Sequence, residues 1–240
     1  MAEADWAELT GTNLDSGSVA RGVTNAFTRP NGGGGFAFGY HSLGSDTGVA
    51  GYYVDLSNFN PVTGTKKGGS IRCAMKRYSA GVAYAPVMGF ILGTDPTTSN
   101  GYLMGLSEAS SYQIALRKGA PATGMDATGS DILRASTSSF TTVGDAAAAW
   151  KHLRMDVLVN PHGEVVIDMM ENDLDTNLVS APVWAAIDGM DLYIDDALGI
   201  LTGSLPHLTG FYAFFGHYTS NLAGAVSLFD QIEVHRQTAP

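Results

Sequence analysis

Three of the four carboxylates in "GEVVIDMMEND", residues 163–173, fall along its strand-like part: Glu164, Asp168 and Glu171. Paired carboxyl groups are the equipment for acid–base cleavage of a glycosidic bond, about 5–5.5 Å apart for retention and about 6.5–9.5 Å for inversion. A strand sends alternate side chains to opposite faces. Glu164, Val166, Asp168 and Met170 therefore share one face, and Val165, Ile167, Met169 and Glu171 share the other. Glu164 and Asp168 fall about 13 Å apart at roughly 3.3 Å per residue, while Asp168 and Glu171 diverge. The stretch is expected to hold no catalytic pair, and Asp168 stays as a candidate for binding a glycan or a protein partner.

A second acidic run, "DGMDLYIDDALG", holds Asp188, Asp191, Asp195 and Asp196. Such side chains with loop carbonyls suit Ca²⁺, and Asp191, Asp195 and Asp196 are the candidate ligands. The spacing is not that of an EF-hand loop, so an acidic loop with turn and capping roles is the competing reading; no other cofactor is expected. The aromatic run "GFYAFFGHYTSN" alternates Phe211, Ala213 and Phe215 with Tyr212, Phe214 and Gly216. One set should pack in a core. Tyr212, His217, Tyr218 and Asn221 could meet at a strand end, where flat rings and an amide suit a sugar or a protein partner. The six histidines, His41, His152, His162, His207, His217 and His235, form no paired ligand motif, which argues against zinc. No G-x-S-x-G elbow anchors a Ser-His-Asp triad. "GTKKGGS" lacks the spacing of a phosphate loop. Cys73, the single cysteine, reads as a small core residue, and no intrachain disulfide can form.

The elements that would carry these residues are short strands between turns. "GVAGYYVDLS" puts Tyr52, Val54 and Leu56 on one face, and "GSIRCAMKRYS" puts Ile71, Cys73 and Met75 inward. "APVMGFILGTD" is almost continuously apolar, as for a strand buried on both faces. "GYLMGLSEA" and "SYQIALRKG" read as a hairpin, and "DILRAST" as a further strand. "WKHLRMDVLV" and the strand from Glu164 form a second hairpin. Its turn, Asn160-Pro161-His162-Gly163, combines a Pro-set φ with a glycine able to take positive φ. "DAAAAWKHL" allows one helical turn before its strand, and "GAVSLFDQIEVHRQ" closes the chain. The four glycines within Asn31 to Gly35 form a loop. The expected architecture is one all-β domain over residues 1–240: a two-sheet antiparallel jelly-roll sandwich of about a dozen strands with few short helical turns.

The bulk properties agree. Glycine at 30 residues and only 15% charged residues suit strands and turns rather than long surface helices, and 45% hydrophobic residues suffice for a core. A net charge of −10 disfavours binding to nucleic-acid phosphates. "MAEADWAELTG" has neither a basic n-region nor an apolar h-region and is read as no secretory signal. No apolar run is long enough for a membrane span, so membrane insertion is not expected.

The tryptophan-led strand "WKHLRMDV", the N-P-x-G turn, "GEVVIDMMEND" and the final "FDQIEV" resemble the concanavalin-A-like lectin/glucanase superfamily. The resemblance implies a two-sheet jelly roll with a concave face and with first and last strands side by side. In the β-glucan hydrolases of that superfamily the strand reads "EIDIME"; carried over, Asp168 is the orienting acid and Glu171 the acid/base. Val166 stands where the nucleophilic Glu belongs, so the resemblance implies fold and not hydrolysis. The run from "YAPVMGFILG" to "VWAAIDGMDLYIDDALG" further resembles lectin-like structural proteins of tailed-bacteriophage virions. It implies a non-enzymatic capsid or tail decoration protein, assembled in the host cytoplasm, with other virion proteins and further copies of itself as partners. The alternatives are a carbohydrate-binding or host-adsorption module and, third, a glycan hydrolase with a rearranged site.

Overall fold

A computed structural model describes residues 6–10, 19–24, 37–42, 47–56, 67–78, 84–107, 113–119, 132–139, 150–159, 164–172, 183–195, 210–220 and 226–236. They form fifteen strands: β1 (Ala7–Thr10), β2 (Val19–Thr24), β3 (Ala37–Ser42), β4 (Thr47–Asp55), β5 (Lys67–Arg77), β6 (Tyr84–Leu92), β7 (Gly101–Ser107), β8 (Gln113–Gly119), β9 (Ile132–Ser139), β10 (Trp150–Val159), β11 (Val165–Asn172), β12 (Trp184–Ala186), β13 (Tyr193–Asp195), β14 (Phe211–Ser220) and β15 (Val226–Arg236). One sheet has the order β1-β4-β14-β6-β7-β8-β9. The other has the order β12-β11-β10-β5-β15-β3-β2, with β13 also on β11. The described pairings are antiparallel. This is an all-β jelly-roll sandwich, and no helix occurs among the described residues. Among them, too, no helix is long and apolar enough to cross a membrane. The glycine loop at 31–35, the 160–163 turn and the alanines before Trp150 lie outside the described residues.

The alternation read from sequence is the alternation that fills the core. Ile71, Cys73 and Met75 of β5, Leu153, Met155, Val157 and Val159 of β10, and Val165, Ile167 and Met169 of β11 face the space between the sheets. There they meet Phe90, Met104 and Phe211 of the seven-stranded sheet. The Phe90 and Phe211 rings stack at 4.9 Å. Each such side chain contributes about 1.5–3 kcal/mol on burial, so the inter-sheet layer dominates the stability.

One feature departs from expectation, and a second extends to further strands the two-sided burial expected of β6. The last strand, β15, lies between β5 and β3, whereas β1 pairs β4 in the opposite sheet; first and last strands are not neighbours. The outer face of the seven-stranded sheet is also buried, with Val49, Ile91, Leu103, Phe214 and Tyr218 in a second apolar cluster. Gly51 belongs to that face: a Cβ there would lie 2.4 Å from the Phe214 ring, so the missing side chain is the space the ring occupies.

Candidate functional site

The outer face of the eight-stranded sheet carries the polar side chains that the core excludes. Cross-strand register sets them in rows. Trp184, Asn172, His152, Ala74 and Asp230 form one. Met170, Arg154, Arg72 and Glu233 form the next, followed by Asp168, Asp156, Ser70 and His235. Val166 and Leu158 make a last, apolar row, extended by Ile194, which faces Val166 and is half exposed.

Two of these rows set like charges opposite each other, Arg154 beside Arg72 and Asp156 beside Asp168. Such pairs destabilise a sheet unless other charges answer them. Arg154 turns along its own strand and grips Asp156 with both ends of its fork, Nε to Oδ1 at 2.9 Å and Nη2 to Oδ2 at 2.6 Å. Its Nε also reaches Ser70 Oγ at 3.2 Å. Arg72 donates to Glu233, which His235 also approaches at 3.1 Å. A bulge in β15 makes that alignment possible. Between Asp230 and Glu233 the strand advances three residues while β5 advances two, from Ala74 to Arg72, so both acids stay on one face. Asp168 has no ion-paired cation among the described residues. Burial, then the neighbouring Asp156, pushes its pKa above the ordinary carboxylate value.

Trp184 forms the rim. Its ring sits 4.8 Å from that of His152, and the Arg154 guanidinium lies 5.9 Å from it, within reach of a cation–π contact. Asn172 sets the position of the short β12: its Oδ1 accepts the Val183 N–H at 3.1 Å, and its amide faces His152 Nδ1 at 3.5 Å. Burial and the nearby Arg72 charge pull the His152 pKa down to about 4, so the ring is neutral at pH 7.

The residues singled out from sequence are dispersed. Asp168 lies on this outer face, whereas Glu171 lines a cleft at the edge of the inter-sheet space with Ser136, Ser138 and Asp188 and approaches Lys151 at 3.9 Å. Strand parity separates the two acids as expected. Tyr212, His217 and Tyr218 do not meet. Tyr212 and Tyr218 are on the outer side of the seven-stranded sheet, Tyr212 donating to the Thr94 carbonyl at 3.1 Å. His217 points the opposite way and lies 2.7 Å from Ser227 Oγ across the sandwich. Asn221 is outside the described residues.

The calcium candidates also part. Asp195 accepts from Tyr102 OH at 2.5 Å and from Lys118, tying β13 to the opposite sheet; burial first, and then this bond to Asp195, hold the Tyr102 hydroxyl far above its ordinary pKa. Asp191 is exposed, and Asp196 lies outside the described residues. Nearby, Asp188 accepts from the Thr137 hydroxyl, and Thr137 N–H donates to the Asp188 carbonyl at 2.9 Å. Gly189, at φ +80, packs on that contact. Two acids of the run thus join the sheets, and among the described residues no group of three His, Cys, Asp or Glu is placed to hold a metal.

Sequence reading missed Trp184, Arg154, Asp156, Arg72 and Glu233 as one surface. The signal available was the hairpin register: with Val159 opposite Val165, Asp156 must fall opposite Asp168.

No family model and no curated protein sequence matches the chain. Among solved structures, it is similar to the metal-free carbohydrate recognition domain of Emp46p (TM-score 0.48, 7% identity, covering 97% of this chain and 88% of that one). It is also similar to a substrate-bound family 7 alginate lyase, A1-II' (0.49, 12%, covering 90% and 84%). A third is the exoplasmic/lumenal domain of VIP36 in its Ca²⁺/Man3GlcNAc-bound form (0.44, 12%, covering 98% and 85%). Likenesses at this level assign no activity to the chain.

Proposed function

We propose that the chain binds carbohydrate through the outer face of its eight-stranded sheet. The observation that carries the reading is Trp184 seated at the border of a hydrogen-bonding surface. The indole packs against His152 and beside Arg154, and Ser70, Asp156 and Asp168 lie one row beyond Arg154. An aromatic plane packs on the C–H face of a pyranose, and adjacent carboxylates and guanidinium groups match its hydroxyls.

The reading is of binding without bond cleavage. Val166 carries no nucleophile, Glu171 is on the other side of the sheet, and both oxygens of Asp156 are held by Arg154. A role as a virion structural protein, drawn from the sequence resemblance, is a separate reading that no described residue favours.

The test is a glycan array followed by affinity measurement on hits. Trp184→Ala, with thermal unfolding to verify folding, is expected to weaken binding at least tenfold, as for an aromatic anchor, and Trp184→Phe to weaken it less. Unchanged affinity in folded Trp184→Ala would sink the assignment to this face. Release of reducing ends that disappears in Asp168→Ala would overturn the non-catalytic reading.

A further inference from the structure

Among the described residues, each guanidinium exposed on this face is already answered by a carboxylate. Arg154 commits two donors to both oxygens of Asp156, and Arg72 pairs with Glu233. Lys76, on the neighbouring row with Trp150 and Leu228, is fully buried, with its ammonium 5.4 Å from the centre of the Trp150 ring. A further carboxylate, Asp168, shares the face and stands directly opposite Asp156.

We infer that the glycan this face takes is neutral, a hydroxyl-rich pyranose chain, and that polymers bearing uronate or sulfate groups are refused. This rests on the carbohydrate-binding reading above. A hydroxyl both donates and accepts, so a vicinal diol can give its protons to Asp168 and Asp156 while accepting from the remaining Arg154 N–H groups. A uronate carboxylate has only acceptors. It needs an uncommitted cation, finds the Arg154 charge already answered by Asp156, and must approach a pair of acids. Burial first, and the facing Asp156 second, raise the pKa of Asp168, in keeping with two acids set side by side.

The experiment uses the full chain on an array carrying both classes. Retardation in native gels containing laminarin, galactomannan, alginate or polygalacturonate follows, each at low and high NaCl. The expected result is hits confined to neutral glycans, with retardation that salt does not change. Binding to alginate or polygalacturonate that weakens with salt would overturn this inference while leaving the carbohydrate-binding reading in place. Binding to neither class would overturn both. A gain experiment completes the test: the Asp156→Asn, Asp168→Asn double variant frees Arg154 and removes the repulsion. It is expected to acquire salt-sensitive retardation by alginate, at least tenfold stronger than the parent. A folded double variant that gains none would overturn the role given to the Arg154–Asp156 pair.

Discussion

His152 shows how one side chain couples the binding face to stability. It is 4% exposed, lying beneath Trp184 with Nδ1 toward the Asn172 amide. That geometry requires an acceptor at Nδ1, hence the neutral ring with its proton on Nε2. The pKa falls from 6.5 to about 4 on folding. Above pH 6.5 the ring is neutral in both folded and unfolded chains, and its titration costs nothing. Below that, the unfolded chain takes up the proton first, so stability declines as pH falls, and the loss is complete near pH 4. The expected loss is roughly 2–3 kcal/mol, read by urea unfolding at several pH values. His152→Gln keeps an acceptor and cannot titrate, so it should flatten the profile between pH 6.5 and 4. An unchanged slope in that variant would place the acid sensitivity elsewhere. Glycan affinity is expected to fall over the same window, because a protonated His152 must turn away from Asn172 and so disturb the seat of Trp184.

At the scale of elements, the β15 bulge brings Glu233 to Arg72, and it does so at a conformational cost. Gln231 sits at φ 52 with its N–H donating to Asp230 Oδ1 at 2.8 Å. The left-handed region costs a residue with a Cβ about 1–2 kcal/mol, and glycine nothing comparable. Gln231→Gly is therefore expected to leave the free energy of urea unfolding unchanged or raise it, by up to about 1 kcal/mol once unfolded-chain entropy is set against the strain. Gln231→Val should lower it. A loss of more than about 1 kcal/mol in Gln231→Gly would mean that the side chain is needed in its own right. The strands themselves were legible because their periods are plain, as in Ile71, Cys73 and Met75 or Leu153 to Val159. The bulge left only a slip of the apolar phase in "FDQIEV", from Phe229 to Ile232 and Val234, whose meaning the register of a partner strand sets. Trp184 was not legible, in a three-residue strand too short to show a period. The adjacency of Tyr212, His217 and Tyr218 in sequence misled for a related reason. Parity sends His217 inward, and covering both sides of β14 buries Tyr218 as well. The binding face needed registers across β12, β11, β10, β5 and β15 together, which no single stretch contains.

For the whole molecule, the inter-sheet layer and the polar ties across it make unfolding a shared event. Asp195 reaches Lys118 and Tyr102, Asp188 reaches Thr137, and His217 reaches Ser227, each from one sheet to the other. Cys73 lies inside that layer, with no exposed surface and its Sγ 3.6 Å from the Asp230 carbonyl. Burial raises the thiol pKa well above its usual value, so the native chain presents neither access nor thiolate to a reagent. Opening a single edge strand, such as β9 or β12, does not uncover β5, which is flanked by β10 and β15. Labelling of Cys73 by a disulfide reagent such as Ellman's should therefore report separation of the sheets. In native buffer it is expected to be slower than that of a small free thiol by the factor that global stability sets. The logarithm of its rate should rise linearly with urea, at the slope of the global unfolding transition. Fast labelling with little dependence on urea would show that the sandwich opens locally around β5 and β15. The Arg72–Glu233 side of the binding face would then open with it.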